Sequence, residues 1–180
     1  MSKSKDVEVS DFGSDGIDIQ TAMLRHAKNY PDHTTRPQYI LWNGKAVRTG
    51  FEIAVAREGR LRLDFISDPR DPSQGVDIKV EGGGVVLSEG EVVNTLRTWH
   101  EPSYENFVEY SYKSNDGIIK LWNVYHRIWP DGRTTEEKWT GNAGFLVEEG
   151  PKGCWLFRCS DGSSSPPDFS RLIFRFSIFN

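Results

Sequence analysis

Alternation with a period of two residues, broken at short intervals by Gly, Asn, Asp and Pro, constrains this chain more than any other feature. In the C-terminal run RLIFRFSIF, Leu172, Phe174, Phe176 and Ile178 fall on one face, and Arg171, Arg175 and Ser177 on the other. Side chains of a strand point alternately to its two faces, so such a run needs an apolar layer on one side only. The same pattern runs through Phe51, Ile53 and Val55, through Leu61, Leu63 and Phe65, and through Val108, Tyr110 and Tyr112. Further strands are predicted over 76–80, 84–87, 91–100, 118–128, 133–139, 145–148 and 154–159. Turn signals return about every 8 to 12 residues, the rhythm of an all-β domain. The fold expected is an antiparallel β-sandwich or jelly-roll-like barrel of about ten to twelve strands with a flexible N-terminal arm.

Local turn chemistry also predicts which strands pair. The joint Arg57-Glu58-Gly59-Arg60 supplies a glycine between two alternating runs, and Asn115-Asp116-Gly117 does the same between 108–113 and 118–128. Both read as hairpins, the second extended into a three-strand meander by Trp129-Pro130-Asp131-Gly132. The last strand, two-faced along its whole length, is expected to lie centrally in its sheet. Residues 1–36 are rich in Ser and Asp and end among Pro31 and Pro37, so they read as an arm ahead of one β-sandwich domain over 37–180. Within the arm, Ile19, Met23 and Ala27 recur at helical spacing, which allows one short helix laid on the body.

Composition narrows the partners. Twenty-two Lys and Arg stand against 26 Asp and Glu, a net charge of -4 without a basic block, so neither nucleic acid nor a membrane surface is the expected partner. The first ten residues, MSKSKDVEVS, contain no apolar run of the secretory kind. Cytoplasm is therefore the expected compartment. Cys154 and Cys159, five apart in a predicted strand, point to opposite faces and are expected to be free thiols.

Aromatics are the chemical signal. Six Trp, six Tyr and ten Phe make up 12% of the chain, more than a sandwich core of this size requires. Trp99 shares a strand with Arg97 and His100, and Trp122 shares one with Tyr125 and His126. Aromatic walls with a few oriented polar groups suit a small-molecule pocket. The ligand-binding set expected is Arg97, Trp99, His100, Glu109, Tyr110, Trp122, Tyr125, His126, Trp155 and Arg158. The rings would stack on the ligand while the charged groups orient it. An alternative is a jelly-roll enzyme, metal-dependent or an isomerase, using His100, His126 and Glu109. The paired histidines of a cupin-type metal site are missing, and no nucleophile elbow or phosphate loop occurs, so no metal, cofactor or catalytic residue is assigned. A protein-binding immunity or assembly module is a second alternative, and edge strands leave room for a homodimer.

The segment GGGVVLSEGEVV (82–93), the aromatic stretch from Tyr104 to Trp129, and GCWLFRCS followed by the closing strand together resemble one group of proteins. These are small bacterial β-sandwich proteins encoded beside peptide natural-product pathways of the crocagin type. The resemblance spans roughly residues 40–180 and rests on strand order and the placement of Gly and Trp. It implies a non-enzymatic accessory, carrier or self-protection factor that binds a modified peptide or aromatic small molecule, and it assigns no catalytic residues.

Overall fold

The computed structural model describes residues 10–179, and among them forms one helix and fourteen strands. In chain order these are α1 (Ile19–Asn29), β1 (Ile40–Trp42), β2 (Lys45–Val47), β3 (Phe51–Ala54), β4 (Glu58–Phe65), β5 (Gln74–Val80), β6 (Gly83–Val86) and β7 (Val92–Val93). There follow β8 (Thr95–His100), β9 (Phe107–Ser114), β10 (Ile118–Ile128), β11 (Thr134–Glu137), β12 (Gly144–Glu149), β13 (Cys154–Ser160) and β14 (Leu172–Phe179). A five-stranded sheet runs β11-β10-β5-β8, with β3 also paired to β10; a seven-stranded sheet runs β12-β13-β14-β4-β9-β6-β7. Strands β1 and β2 form a separate hairpin. The expected all-β antiparallel sandwich is the fold, with more and shorter strands than the pattern marked.

Its core is the apolar face of each sheet turned toward the other. Ile53, Ile78, Ile119 and Leu121 from the five-stranded sheet meet Leu61, Leu63, Phe145, Phe157, Phe174 and Phe176 from the seven-stranded one. Phe157 stacks on Phe174 at 4.6 Å and meets Phe51 edge-on at 5.5 Å, so rings from three strands interlock across the layer. Strand β14 lies between β13 and β4, with Leu172, Phe174 and Phe176 buried, as its alternation requires.

Pairing departs from the local turn signals. Strand β3 joins β10 while β4 joins β14 and β9, so residues 55–57 cross from one sheet to the other instead of closing a hairpin. Likewise β9 pairs β4 and β6 whereas β10 pairs β5, so the turn at 115–117 is a second crossing and the three-strand meander reduces to the hairpin β10-β11. That corner is built tightly. Ser114 Oγ accepts from the amides of Gly117 and Ile118 and donates to the Glu81 carbonyl, while Gly117 takes φ +67, which a side chain would resist. Positive φ allows either outcome; burial of both apolar faces decides between them.

The first nine residues of the expected arm lie outside the described residues. The remainder is stitched to the body. Asp18 caps α1 by accepting from the Thr21 amide, Asn142 accepts from the Ile19 amide at 3.2 Å, and Gln20 exchanges two bonds with Gly141. Ile19 and Ala22 are buried in a second apolar cluster with Phe12, Ile40, Trp42 and Val47. Strand β2 is tied onward to the sandwich by the reciprocal bonds of Arg48 and Phe145. No helix among the described residues is long and apolar enough to cross a membrane.

A polar island interrupts the core at the end of β13. Asp161, fully buried, accepts from Gln74 Nε2 and Arg171 Nε at 3.0 Å each and from the amides and hydroxyls of Ser163 and Ser164. Burial alone would raise its pKa, but the hydrogen bonds from Ser163 and Ser164 and the charge of Arg171 outweigh it, and the net shift is downward.

Two outcomes follow from these contacts. Ile19→Ala should cost about 2 to 4 kcal/mol in urea denaturation, as for a core deletion, whereas a helix lying free would lose almost nothing. A depressed folded-state pKa makes the Asp161 network fully stabilising above the ordinary aspartate value of 3.8, and its contribution disappears as pH falls through the lower folded value. Comparing denaturation near neutral pH and near pH 3 should therefore show a smaller acid loss for Asp161→Asn than for the unaltered protein.

Candidate functional site

On the outer face of the five-stranded sheet, β10 carries Lys120, Trp122, Val124 and His126 in one row, opposite Lys79, Asp77 and Gly75 of β5. Arg97 and Trp99 of β8 continue the row beyond Asp77 and Gly75. Asp77 is 1% exposed and accepts three bonds of 2.8 Å, two from Arg97 and one from the indole Nε1 of Trp122. Those bonds with Asp77, opposed by burial and joined by Glu136, hold the Arg97 pKa above its ordinary value. Trp99 lies across Gly75, where a Cβ would stand 2.9 Å from its ring, and meets the His126 ring at a tilt of 41° with centroids 4.2 Å apart. His126 in turn approaches Glu136 at 3.6 Å.

Of the ten residues expected at a site, the structure thus brings together Arg97, Trp99, Trp122 and His126. The other six lie elsewhere. His100 and Tyr125 point inward from the same sheet: His100 stacks on Phe65 at 4.3 Å and burial lowers its pKa, while the Tyr125 hydroxyl bonds Thr140. Glu109 and Arg158 sit on the seven-stranded sheet and are engaged with Arg60 and Arg62, and with Glu148, respectively. Tyr110 and Trp155 pack against the central core. His100, His126 and Glu109 therefore occupy two faces of one sheet and a second sheet, so the enzymatic alternative finds no common site for them. Odd spacing within a strand and membership of different sheets are the physical reasons. Among the described residues no group of three or more His, Cys, Asp or Glu is placed to hold a metal ion.

A cleft adjoins Trp122. It encloses about 890 Å³ between the outer face of the sheet and the layer formed by α1, the 33–39 loop and residues 48–50. Its existence follows from the pairing of β10. One edge of that strand is met by β3 at 118–121 and by β11 at 125–128, which leaves Trp122, Asn123 and Val124 without a strand neighbour there. Trp139 fills part of the interval: at φ +60 its indole turns back over Trp122 at 5.3 Å and donates to the Thr49 carbonyl at 2.9 Å. Lys138 Nζ lies 5.2 Å from the Trp122 ring and 4.5 Å from the Trp139 ring. Across the cleft, His26 Nε2 donates to the Pro37 carbonyl at 2.8 Å and so pins the loop to the helix.

Tyr39, Phe51, Trp122 and Trp139 supply aromatic walls, and Arg36, Arg48, Lys79 and Lys120 border the same space. Arg48 is held between the Tyr39 and Phe51 rings, with Cζ 5.4 and 5.5 Å from their centroids. Burial lowers its pKa from the ordinary arginine value. Sequence reasoning found Trp122 and missed the rest, because Tyr39, Arg48 and Trp139 come from loops and from segments too short to show a period. The one signal available was the clustering of Arg36, Tyr39 and Arg48 around Pro37.

The chain matches no protein-family profile. No curated protein matches it. Among solved structures it is similar to the C-terminal domain of BC2L-C lectin from Burkholderia cenocepacia, at 11% identity and a TM-score of 0.39, over 74% of this chain and 97% of that one. A likeness of that size says nothing of what this chain binds.

Asp77 is the residue on which the cleft floor depends. Asp77→Ala would leave the Trp122 N–H unpaired and Arg97 with Glu136 as its remaining acid, so it should cost about 1 to 3 kcal/mol and shift tryptophan emission. A loss below about 0.5 kcal/mol, the scale of an ordinary surface substitution, would show that the carboxylate does not hold the floor.

Proposed function

We propose that this chain is a non-catalytic receptor for an aromatic, peptide-derived small molecule, bound in the cleft beside Trp122 and serving a peptide natural-product pathway as accessory, carrier or self-protection factor. The observation that carries the reading is the convergence of Tyr39, Phe51, Trp122 and Trp139 on one space with several cationic side chains. Its volume of about 890 Å³ lies in the range that suits a ligand of a few linked residues. Large flat rings provide contact area at small entropic cost, and the cations discriminate by charge. Free thiols at Cys154 and Cys159 accord with a cytoplasmic setting. The pathway assignment rests on the sequence resemblance alone.

Titration of tryptophan emission with short aromatic peptides, indole metabolites and oligosaccharides tests the reading. A saturable change is expected for the aromatic peptides or indole metabolites, weakened about tenfold in Trp139→Ala, a loss within the range of a truncated aromatic contact. An unchanged spectrum across all three classes would overturn it.

A further inference from the structure

Among the four cations that line the cleft, Arg48 is the least engaged; Lys138, which stands over the Trp122 and Trp139 rings outside that lining, also makes no ion pair with a described residue. Lys79 and Lys120 share Glu81 at 3.3 and 3.0 Å, and Lys120 also approaches Glu52 at 3.8 Å. Arg36 donates to the carbonyls of Tyr30 and Pro31. Arg48 gives one bond, from Nη1 to the Gln38 carbonyl at 3.2 Å, and makes no ion pair with any described residue. A guanidinium carries five N–H donors, so most of its capacity is unspent in a half-buried position. Its backbone is locked in place by reciprocal bonds of 2.9 and 2.8 Å with the buried Phe145, and its side chain by two rings.

We infer that Arg48 is an anion-docking residue, and that the ligand of this cleft is an aromatic carboxylate whose acid group pairs with the Arg48 fork. The inference rests on the receptor reading above and specifies its ligand. One planar fork with no counter-ion matches one planar, singly charged acceptor, and such bidentate pairs are both stronger and more directional than neutral hydrogen bonds. A phosphate dianion would bring a second charge to a place where the neighbouring lysines are already balanced by Glu81 and Glu52. Ring and acid must also be close in the ligand. The Trp139 indole is tethered to Thr49, the residue after Arg48, so a ring stacked there leaves its carboxylate only a few bonds away.

Calorimetric titration of the full chain with N-acetyltryptophan and with its carboxamide isolates the charge from the ring. The acid is expected to bind at least tenfold more tightly than the amide, and in Arg48→Gln the two should bind alike. Arg48→Lys, which keeps the charge without the fork, should retain part of the preference. Equal affinities of acid and amide for the unaltered protein overturn the inference while the receptor reading stands. This comparison needs no variant to fold. Failure of both compounds to bind also overturns the inference, and the wider ligand panel then decides the receptor reading by itself.

Discussion

Strand β10 is the constraint from which the rest of the structure follows. It is eleven residues long, pairs along one edge with β5, and must find partners for the other. Two strands of four residues each share that edge and do not meet, so Trp122 to Val124, though buried, have no strand neighbour between them. Sheet edges invite pairing with other chains unless they are covered. Here the cover is not a strand. Trp139 folds back over Trp122, and the space between Trp122 and the layer of α1 and the loop after it is the cleft.

Charge distribution sharpens the contrast between that space and the remaining surface. Across the strands, arginines are matched to acids within or between neighbours: Arg62 with Asp64, Arg60 with Glu109, Arg158 with Glu148, Arg97 with Asp77 and Glu136. The exposed pairs among these contribute little to stability, unlike Arg97 on the buried Asp77, and all of them consume cationic capacity that a ligand would otherwise meet. At the cleft the balance reverses, because Arg48 is surrounded by rings and carbonyls. A net charge of -4 for the whole chain gives no hint of this local excess, which arises from where the acids are absent rather than from how many bases there are.

Legibility followed periodicity. Alternation in Leu172 to Ile178 and in Leu61 to Phe65 identified buried faces that the structure retains, and the row through Arg97, Trp99, Trp122 and His126 was readable as one strand face after another. What local signals could not decide was pairing. Gly117 marks a sharp turn as expected, whereas Gly59 lies extended inside β4 and the chain turns before it at 55–57; a sharp turn also serves a hairpin and a crossing between sheets alike, and the choice depends on aromatic packing between residues far apart in sequence. The helical spacing of Ile19 and Met23 was legible for the same reason as the strands. Its docking was not, since Ile40, Trp42 and Val47 belong to a hairpin too short to display a pattern. The cleft inherits that difficulty: Tyr39, Arg48 and Trp139 act through position, and nothing in their immediate neighbours marks them.

The two tryptophans of the cleft are held in different ways, and the difference bears on how a ligand would be received. Trp122 is 8% exposed, and its indole N–H is fixed to a carboxylate that Arg97 also grips. Trp139 is 44% exposed, stands in the left-handed backbone region, and is tied to the body by one hydrogen bond to Thr49 and the ammonium of Lys138. Order already present before binding need not be supplied by the ligand, so in the proposed complex the Trp122 floor and the Arg48 fork would contribute affinity at small entropic cost on association. Trp139 has fewer restraints and a backbone conformation that costs energy to hold. Of the two rings, Trp139 is therefore the less restrained, and under the proposed receptor reading adaptation to ligands of different size would fall to it while charge and floor stayed fixed.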